Sequence, residues 1–389
     1  MTLPFSGVDS FTGIHPFLLV IAAAGLDRLV GDPRWCLHPV VVMGWWISHL
    51  RRLAEQWAGD RPWALRLAGG VITLLLLGGS GGAGWLLEQA AQHLSGGLGL
   101  PLGAPLAAAL LLIALASALA GRSLEQAVQG VLRALPPATS QIASSRAAPK
   151  SVQDSVQTAQ STERTDSPGA DLEPARQALR WIVGRSTDDL NTAEIVRAAA
   201  ETASENAVDG LFAPLFWMLL GAALWSAGLT AWPGPVSLAW AFKAASTLDS
   251  MLGYRYGRLQ WLGTAGARLD DLLVWLPCRL VALSLPLAAG LGIARAREQF
   301  WAALRDGAPD PSPNAGVSQA AYAHAAEVQL GGLNRYGDQL KAKPLLAEGN
   351  PPADAAAVQR ILGLSRRLEG IWLVAGLALG LCAAGRQIQ

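Results

Sequence analysis

An all-α, polytopic integral membrane fold is what this sequence predicts, and three observations predict it. Charged residues fill only 15% of the 389 positions, against roughly 25% in ordinary soluble domains. Mean hydropathy is +0.30, with 51% hydrophobic residues. The charges are also missing in blocks. Residues 67–87, 94–121, 210–242 and 370–385 carry none, 10–26 holds only His15, and 272–294 only Arg279. A membrane helix needs about 20 mostly apolar residues to cross a hydrocarbon core about 30 Å thick. One such run could be a buried soluble helix; several together point to insertion, and five to seven spans are expected.

Other classes fall away on the same composition. A net charge of +1 and a pI near 7.8 offer nothing to a nucleic acid. Cys36, Cys278 and Cys382 lie too far apart for a disulfide scaffold or a metal-ligand spacing. No Lys or Arg precedes the first apolar run, and Asp27 closes it where a signal peptide would have a small-residue cleavage site. The first segment is therefore expected to be retained.

Arginine placement sets the orientation. Residues 27–66 hold six arginines and 122–209 nine cations, whereas 88–93, read as a short connection, holds Glu88, His93 and no cation. The positive-inside rule places 27–66 and 122–209 in the cytoplasm and the N-terminus outside. Residues 243–271 and 295–367 are cation-rich as well, so single crossings at 210–242 and 272–294 would export one of them. The run 210–242 is therefore expected to double back at Trp232-Pro233-Gly234-Pro235, as a hairpin or re-entrant pair. The run 272–294, interrupted by Pro277 and Pro286, is open to the same reading. Irregular backbone at that depth must be buried in protein or line a wet cavity.

Three regions result: N-terminal membrane helices over 1–135, an insertion over 136–174, and a catalytic membrane core over 175–389 with cytoplasmic helices and a C-terminal membrane helix. The insertion is rich in Ser, Thr, Gln, Ala and Pro without apolar periodicity, and is expected to be disordered and cytoplasmic. Gly79, Gly81 and Gly84 fit GxGxxG, but no strand precedes them. Helix packing, with Gly78 and Gly82 as a small-xxx-small pair, is the better reading. No Walker-type GxxxxGK[ST] occurs.

Four stretches carry chemistry. In 181–216, Asn191 and Glu194 have capping-box spacing, so a helix is expected from there to about Ala207. Glu194, Glu201 and Glu205 then share one face, with Asn206 and Asp209 at its end. Acids grouped at a membrane mouth repel one another and need cations, and bound magnesium with substrate phosphate would supply them. The plain alternative is a solvated face with Arg197 as partner. In 242–271, Lys243 ends the long apolar run. Only four lysines stand against 26 arginines in the chain, so a lysine here suggests a compact ammonium for phosphate, or else a cation snorkelling to the interface. Asp249, Arg255, Arg258, Arg268 and the pair Asp270-Asp271 follow, the adjacent pair as metal or cation ligands or as partners of Arg268.

The third stretch joins Ser312-Pro313-Asn314, read chiefly as a helix cap ended by Gly331-Gly332, with anion binding at the helix N-terminus as the alternative. In the fourth, 26–44, Asp27 and Asp32 flank Gly31, and His38 precedes Pro39. His38 could act as a base, but a lone histidine is more often structural.

Together these stretches resemble the CobD/CbiB family of cobalamin biosynthesis, the membrane-bound adenosylcobinamide-phosphate synthases. The pieces are GDPRWCLHPV (31–40), IVGRSTDDL (182–190), ETASENAVDGLFAPLF (201–216), FKAASTLDSMLGY (242–254), ARLDDLLVWLPCRL (267–280), SPNAG (312–316) and LGGLNRYG (330–337). They stand in family order across most of the chain outside 136–174. Ser186 stands where the family has aspartate, Ser204 for alanine, and Ser246 and Val274 for asparagine, while the charged set is whole.

The resemblance implies a ligase that joins a carboxylate of adenosylcobyric acid to aminopropanol or its phosphate. ATP is the co-substrate, used through an acyl phosphate, and Mg2+ the cofactor. It implies catalytic roles for Glu201, Glu205, Asn206, Lys243 and Asp249, and phosphate or cofactor contacts for Arg258, Arg268, Arg279, Ser312 and Asn314. Asp209, Asp270 and Asp271 are implied as metal ligands. The other partners are membrane lipid and no nucleic acid, with a homo-oligomer left open. The expected location is the inner (plasma) membrane, with the active site facing the cytoplasm. Two other classes stay open: a non-enzymatic AmpE-like sensor or scaffold, and an ion-coupled transporter, whose marks include intramembrane acids and broken helices. No inverted repeat is visible, and the acids lie at membrane edges.

Overall fold

The computed structural model describes residues 15–32, 38–96, 103–136, 171–336 and 339–387. Most of the expected insertion (137–170) and the start of the first apolar run (10–14) lie outside the described residues. In chain order the elements are α1 (Pro16–Val30), α2 (Pro39–Ala58), α3 (Pro62–Gly96), α4 (Gly103–Ala116), α5 (Gly121–Arg133), α6 (Glu173–Arg180) and α7 (Thr192–Ala207). A π-helical turn, Val208–Phe212, leads into α8 (Ala213–Ser226). Then come α9 (Pro235–Leu252), α10 (Leu259–Leu262), α11 (Thr264–Ala288), α12 (Ile293–Gly307), α13 (Ala315–Ala325), strands β1 (Leu330–Tyr336) and β2 (Gln339–Leu346), and α14 (Ala355–Gln387).

The all-α polytopic expectation holds. Among the described residues, four helical stretches are long and apolar enough to cross a membrane: Pro62–Ser95, Gly103–Arg133, Thr192–Ser226 and Thr264–Ala288. Large apolar side chains face outward along them, including Leu67, Leu74 and Leu75 of α3 and Leu272, Leu283 and Leu287 of α11. Such surface suits lipid, not water.

The chain divides into two compact units. The first comprises the described residues within Met1–Arg122, Asp209–Val274 and Trp372–Gln389, and the second those within Ser123–Val208 and Trp275–Ile371.

In the first unit, α3 packs on α2 and α9 around Ile47, Leu65, Ile72, Leu76, Leu248 and Leu262. The apolar run 210–242 does double back. It becomes α8 and α9, joined through Trp232-Pro233-Gly234, and the two helices approach so closely that a Cβ on Gly221 would lie 2.4 Å from the Pro235 nitrogen. The glycines of α3 serve packing as expected, but through different positions. Gly78 and Gly82 face open space, whereas a Cβ on Gly84 would meet the Ser237 Cα at 2.7 Å, and the Ser237 hydroxyl donates to the Gly81 carbonyl at 2.8 Å.

Residues 88–93 are not a connection, because α3 continues through them to Gly96. The reason lies 146 residues away in sequence. The first-turn amides of a helix lack partners, and Glu88, fully buried, supplies them for α9. It accepts from the amides of Gly234 (2.9 Å), Val236 (2.7 Å) and Ser237 (3.1 Å), while Pro235 at the first helical position has no N–H to satisfy. Charge-assisted bonds at the positive end of a helix make this buried carboxylate tolerable. Glu88→Ala strands three amides and is expected to destabilise the protein by roughly 3 kcal/mol, read as an earlier melt in detergent. A variant melting with wild type would contradict the cap.

In the second unit, α7 packs on α13, both helices carry small buried residues (Ala199 and Ala203 on one, Ala320 and Ala321 on the other), and the Ser318 hydroxyl donates to the Ser204 carbonyl at 2.6 Å. The capping box is present as expected. Asn191 Oδ1 accepts from the Glu194 amide at 3.0 Å, and Glu194 Oε2 accepts from the Asn191 amide at 2.9 Å. The helix ends at Ala207.

The expectation that Gly331-Gly332 end a helix is corrected. Helix α13 stops at Ala325, and these glycines open an antiparallel hairpin with Gly332 opposite Lys343 and Asn334 opposite Lys341. Their φ angles of +85° and +96° suit glycine, and a Cβ on Gly331 would strike the Pro344 carbonyl oxygen at 1.9 Å.

Candidate active site

Lys243 is the centre of the first unit's polar cluster. It lies partway along α9, between Phe242 and Ala244, both buried. The carboxylates whose charges act on it are Asp32, Asp209, Asp27 and Asp270. They come from separate stretches: the end of α1, the turn after it, the π-helical turn, and the first turns of α11. Asp270 is buried, and the charges of Asp209, Asp249 and Asp271 act on it as well. Its Oδ1 has no hydrogen-bond partner among the described residues, nor does Oδ1 of Asp27; the other Asp27 oxygen accepts from the Arg122 amide at 3.2 Å.

Asp249 stands on α9 outside the four candidate spans. Burial pushes its carboxyl above the usual aspartate range and the Asp271 charge adds to this, against the pull of Arg255.

Two buried carboxylate oxygens without donors, on Asp27 and Asp270, whose charges both act on the Lys243 ammonium, are of the kind a hard divalent cation takes. Among the described residues no three carboxylate, imidazole or thiol groups already stand in a metal-binding arrangement. An ion here would be completed by phosphate oxygens and water, as magnesium favours. In donor type, carboxylate oxygens are the ligands such an ion takes.

The second unit gathers a different set. Glu201 is buried, with Oε2 2.8 Å from the Arg185 guanidinium, and Oε1 accepts from the Gly331 amide at 3.1 Å and lies 3.8 Å from Arg197. Arg197 in turn donates to the Gly331 and Leu333 carbonyls at 3.1 and 2.6 Å. The face is thus buried, not solvated, and Arg197 partners Glu201 inside it. Glu205 accepts from Gln319 Nε2 at 2.6 Å, and the Lys343 charge acts on both glutamates from β2. Lys343 itself lies 3.3 Å from Asp310.

Comparison with known proteins places the chain. The model of the CobD/Cbib protein family matches residues 20–154 and 139–365. The chain is 37% identical over 372 residues to the cobalamin biosynthesis protein CobD of Synechocystis sp., covering 94% of this chain and 93% of the relative. It is 34% identical over 366 residues to the cobalamin biosynthesis protein CbiB of Salmonella typhimurium, covering 93% and 94%. The chain belongs to the CobD/CbiB family. A third relative, the cobalamin biosynthesis protein CobD of Geobacter metallireducens, is 35% identical over 340 residues, 87% of this chain and 89% of its own. No solved structure matches.

Within this CobD/CbiB chain the expected site residues separate by unit. Asp209, Lys243, Asp249, Asp270 and Asp271 come together in the first. Arg268 is exposed on α11, and Arg258 is engaged at the surface by Asp60 at 2.7 Å. In the second unit Glu201 and Glu205 share one network, with Asn206 half-buried beside them in sequence. Arg279, Ser312 and Asn314 also meet there, but largely to serve one another. Arg279 donates to the Asn314 side chain and, at 2.7 Å, to the Pro313 carbonyl. The Ser312 hydroxyl accepts from the Ala315 amide at 3.2 Å, so the capping reading holds through Ser312. His38 Nδ1 accepts from the Val40 amide at 3.3 Å at the start of α2, and its Nε2 lies 3.3 Å from Asp32 Oδ1.

Sequence reasoning gave no site role to Asp27, Asp32 or Lys343. Lys343 had a usable signal, since it is one of only four lysines in an arginine-rich chain.

Proposed function

We propose that this chain acts in cobalamin biosynthesis as an ATP-dependent amide ligase, joining a carboxylate of adenosylcobyric acid to aminopropanol or its phosphate. Family membership and the names of the relatives support the pathway. The observation that carries the reaction class is Lys243 among four carboxylates, one of which, Asp270, is buried with an oxygen that no donor serves.

A carboxylate is a poor acyl group at neutral pH, so one of its oxygens attacks the γ-phosphorus of ATP, ADP leaves, and an acyl phosphate forms. The amine nitrogen then attacks the acyl carbon, inorganic phosphate leaves, and one proton is shed. Asp209, Asp270 and Asp271 are the residues that would hold magnesium, which when bound neutralises triphosphate charge and polarises the phosphorus. Lys243 contacts the transferring phosphoryl oxygens with a compact ammonium, and Arg268 offers a further phosphate contact. Asp249, raised above the ordinary carboxylate range, is suited to take the amine's proton. Arg258, Arg279, Ser312 and Asn314 receive no reacting partner, because their polar groups are engaged elsewhere.

The membrane is assigned as the inner membrane, with this chemistry on the cytoplasmic side where ATP and the arginine-rich segments are.

The test is direct. Protein purified in detergent is incubated with adenosylcobyric acid, magnesium ATP and aminopropanol phosphate, and mass spectrometry reads the amide and ADP. Both products in equal yield are expected; neither product, or uptake of labelled substrate into vesicles without ATP, would overturn the reading. Deleting residues 140–168 is expected to leave turnover within about twofold, because a segment without apolar periodicity has nothing with which to order a site. An inactive deletion variant that still inserts would show that the segment takes part.

A further inference from the structure

Gln319 on α13 is 1% exposed, and its side-chain oxygen Oε1 has no hydrogen-bond partner. A buried amide oxygen left without a donor costs about 1–3 kcal/mol, and such a group in a native fold calls for an explanation. The other end of this amide is fixed, with Nε2 donating to Glu205 Oε2 at 2.6 Å. The bare oxygen is thereby held beside a carboxylate. That bond from Gln319 is the one hydrogen bond the Glu205 carboxylate makes among the described residues, and the side chain is half-buried.

We propose that Glu205 and Gln319 form a binding site for a primary alkylammonium group. The pair presents an anionic acceptor and a neutral acceptor side by side, and an ammonium brings three donors on one compact centre. Serving both oxygens at once converts an unsatisfied amide and a singly bonded carboxylate into charge-assisted hydrogen bonds. A divalent cation fits less well. It asks for several anionic oxygens, and the two further acids whose charges act on Glu205 are already paired, Asp310 with Lys343 at 3.3 Å and Glu201 with Arg185 at 2.8 Å.

In the ligation proposed above the acceptor is an amine, and this inference rests on that reading for the ligand's place in a reaction, though not for its binding. The experiment is titration calorimetry on the full chain in detergent, without ATP or corrinoid, using 1-amino-2-propanol as probe and 1,2-propanediol as its amine-free counterpart. Saturable binding of the amine is expected, with the diol at least about tenfold weaker, the scale of losing one hydrogen bond to a charged group. Glu205→Gln and Gln319→Leu, each checked for wild-type melting, are expected to raise the amine's Kd at least about tenfold.

Three outcomes would overturn the site: no binding of the amine, equal binding of amine and diol, or an unchanged Kd in folded Glu205→Gln protein. Magnesium chloride titrated alone provides the remaining arm, and magnesium binding lost in Glu205→Gln while amine binding persists would assign the pair to a metal instead. Amine binding that depends on Glu205, in a protein that forms no amide, would sink the ligase reading and leave this site standing.

Discussion

Replacing Lys243 with alanine is expected to cut amide formation at least about a hundredfold, the scale of losing one strong electrostatic contact in a preorganised site, while the protein still inserts and melts as a folded chain. The expectation follows from what surrounds the ammonium. Asp32, Asp209, Asp27 and Asp270 all act on it, so its removal leaves several acids facing one another and takes the positive charge from the place assigned to the transferring phosphoryl group. Lys243→Arg is expected to recover little, because a planar guanidinium does not reproduce a compact point charge.

Asp249→Ala is expected to fall as far, with an added signature. A base whose carboxyl titrates above the ordinary aspartate range gives an acid limb in the rate profile at that raised pKa, with rate climbing as the proton leaves, and the variant should lose that limb. Near-normal turnover in both variants would remove the site from the first unit's cluster.

The second large effect is on stability. Glu201→Ala breaks a buried ion pair in which both partners are more than nine-tenths covered and which also holds the Gly331 amide. Leaving Arg185 buried without its carboxylate is expected to cost about 3–5 kcal/mol. The double substitution Arg185→Met with Glu201→Leu should recover much of the loss, because removing both charges also removes their desolvation cost. Thermal melts of the three proteins in one detergent decide it. A single variant within about 1 kcal/mol of wild type would mean that the network is not what fixes the β1–β2 hairpin onto α7.

The features legible in the sequence were those whose physics is local. The capping box of Asn191 and Glu194 was visible because both partners lie within one helical turn. The reversal at Trp232-Pro233-Gly234-Pro235 was visible because proline and glycine break helices wherever they occur. Glu88 was misread because its partners are the amides of Gly234, Val236 and Ser237, and nothing near it in sequence says that a helix will begin beside it. The hairpin was missed for the same kind of reason. Leu330–Tyr336 carries little strand propensity, and its partner strand gives it order. The acids around Lys243 were individually legible as charges next to apolar runs. Their convergence, with Asp27 and Asp32 included, depended on four separated stretches meeting, which spacing along the chain does not encode.

The central claim is that a carboxylate is activated on ATP before an amine takes its place. It is tested most directly with adenosylcobyric acid labelled with oxygen-18 in the reacting carboxyl group, magnesium ATP and aminopropanol phosphate. An acyl phosphate predicts amide formation with one labelled oxygen carried into the inorganic phosphate released. Label found in AMP, unlabelled phosphate alongside the amide, or no amide at all would contradict the account.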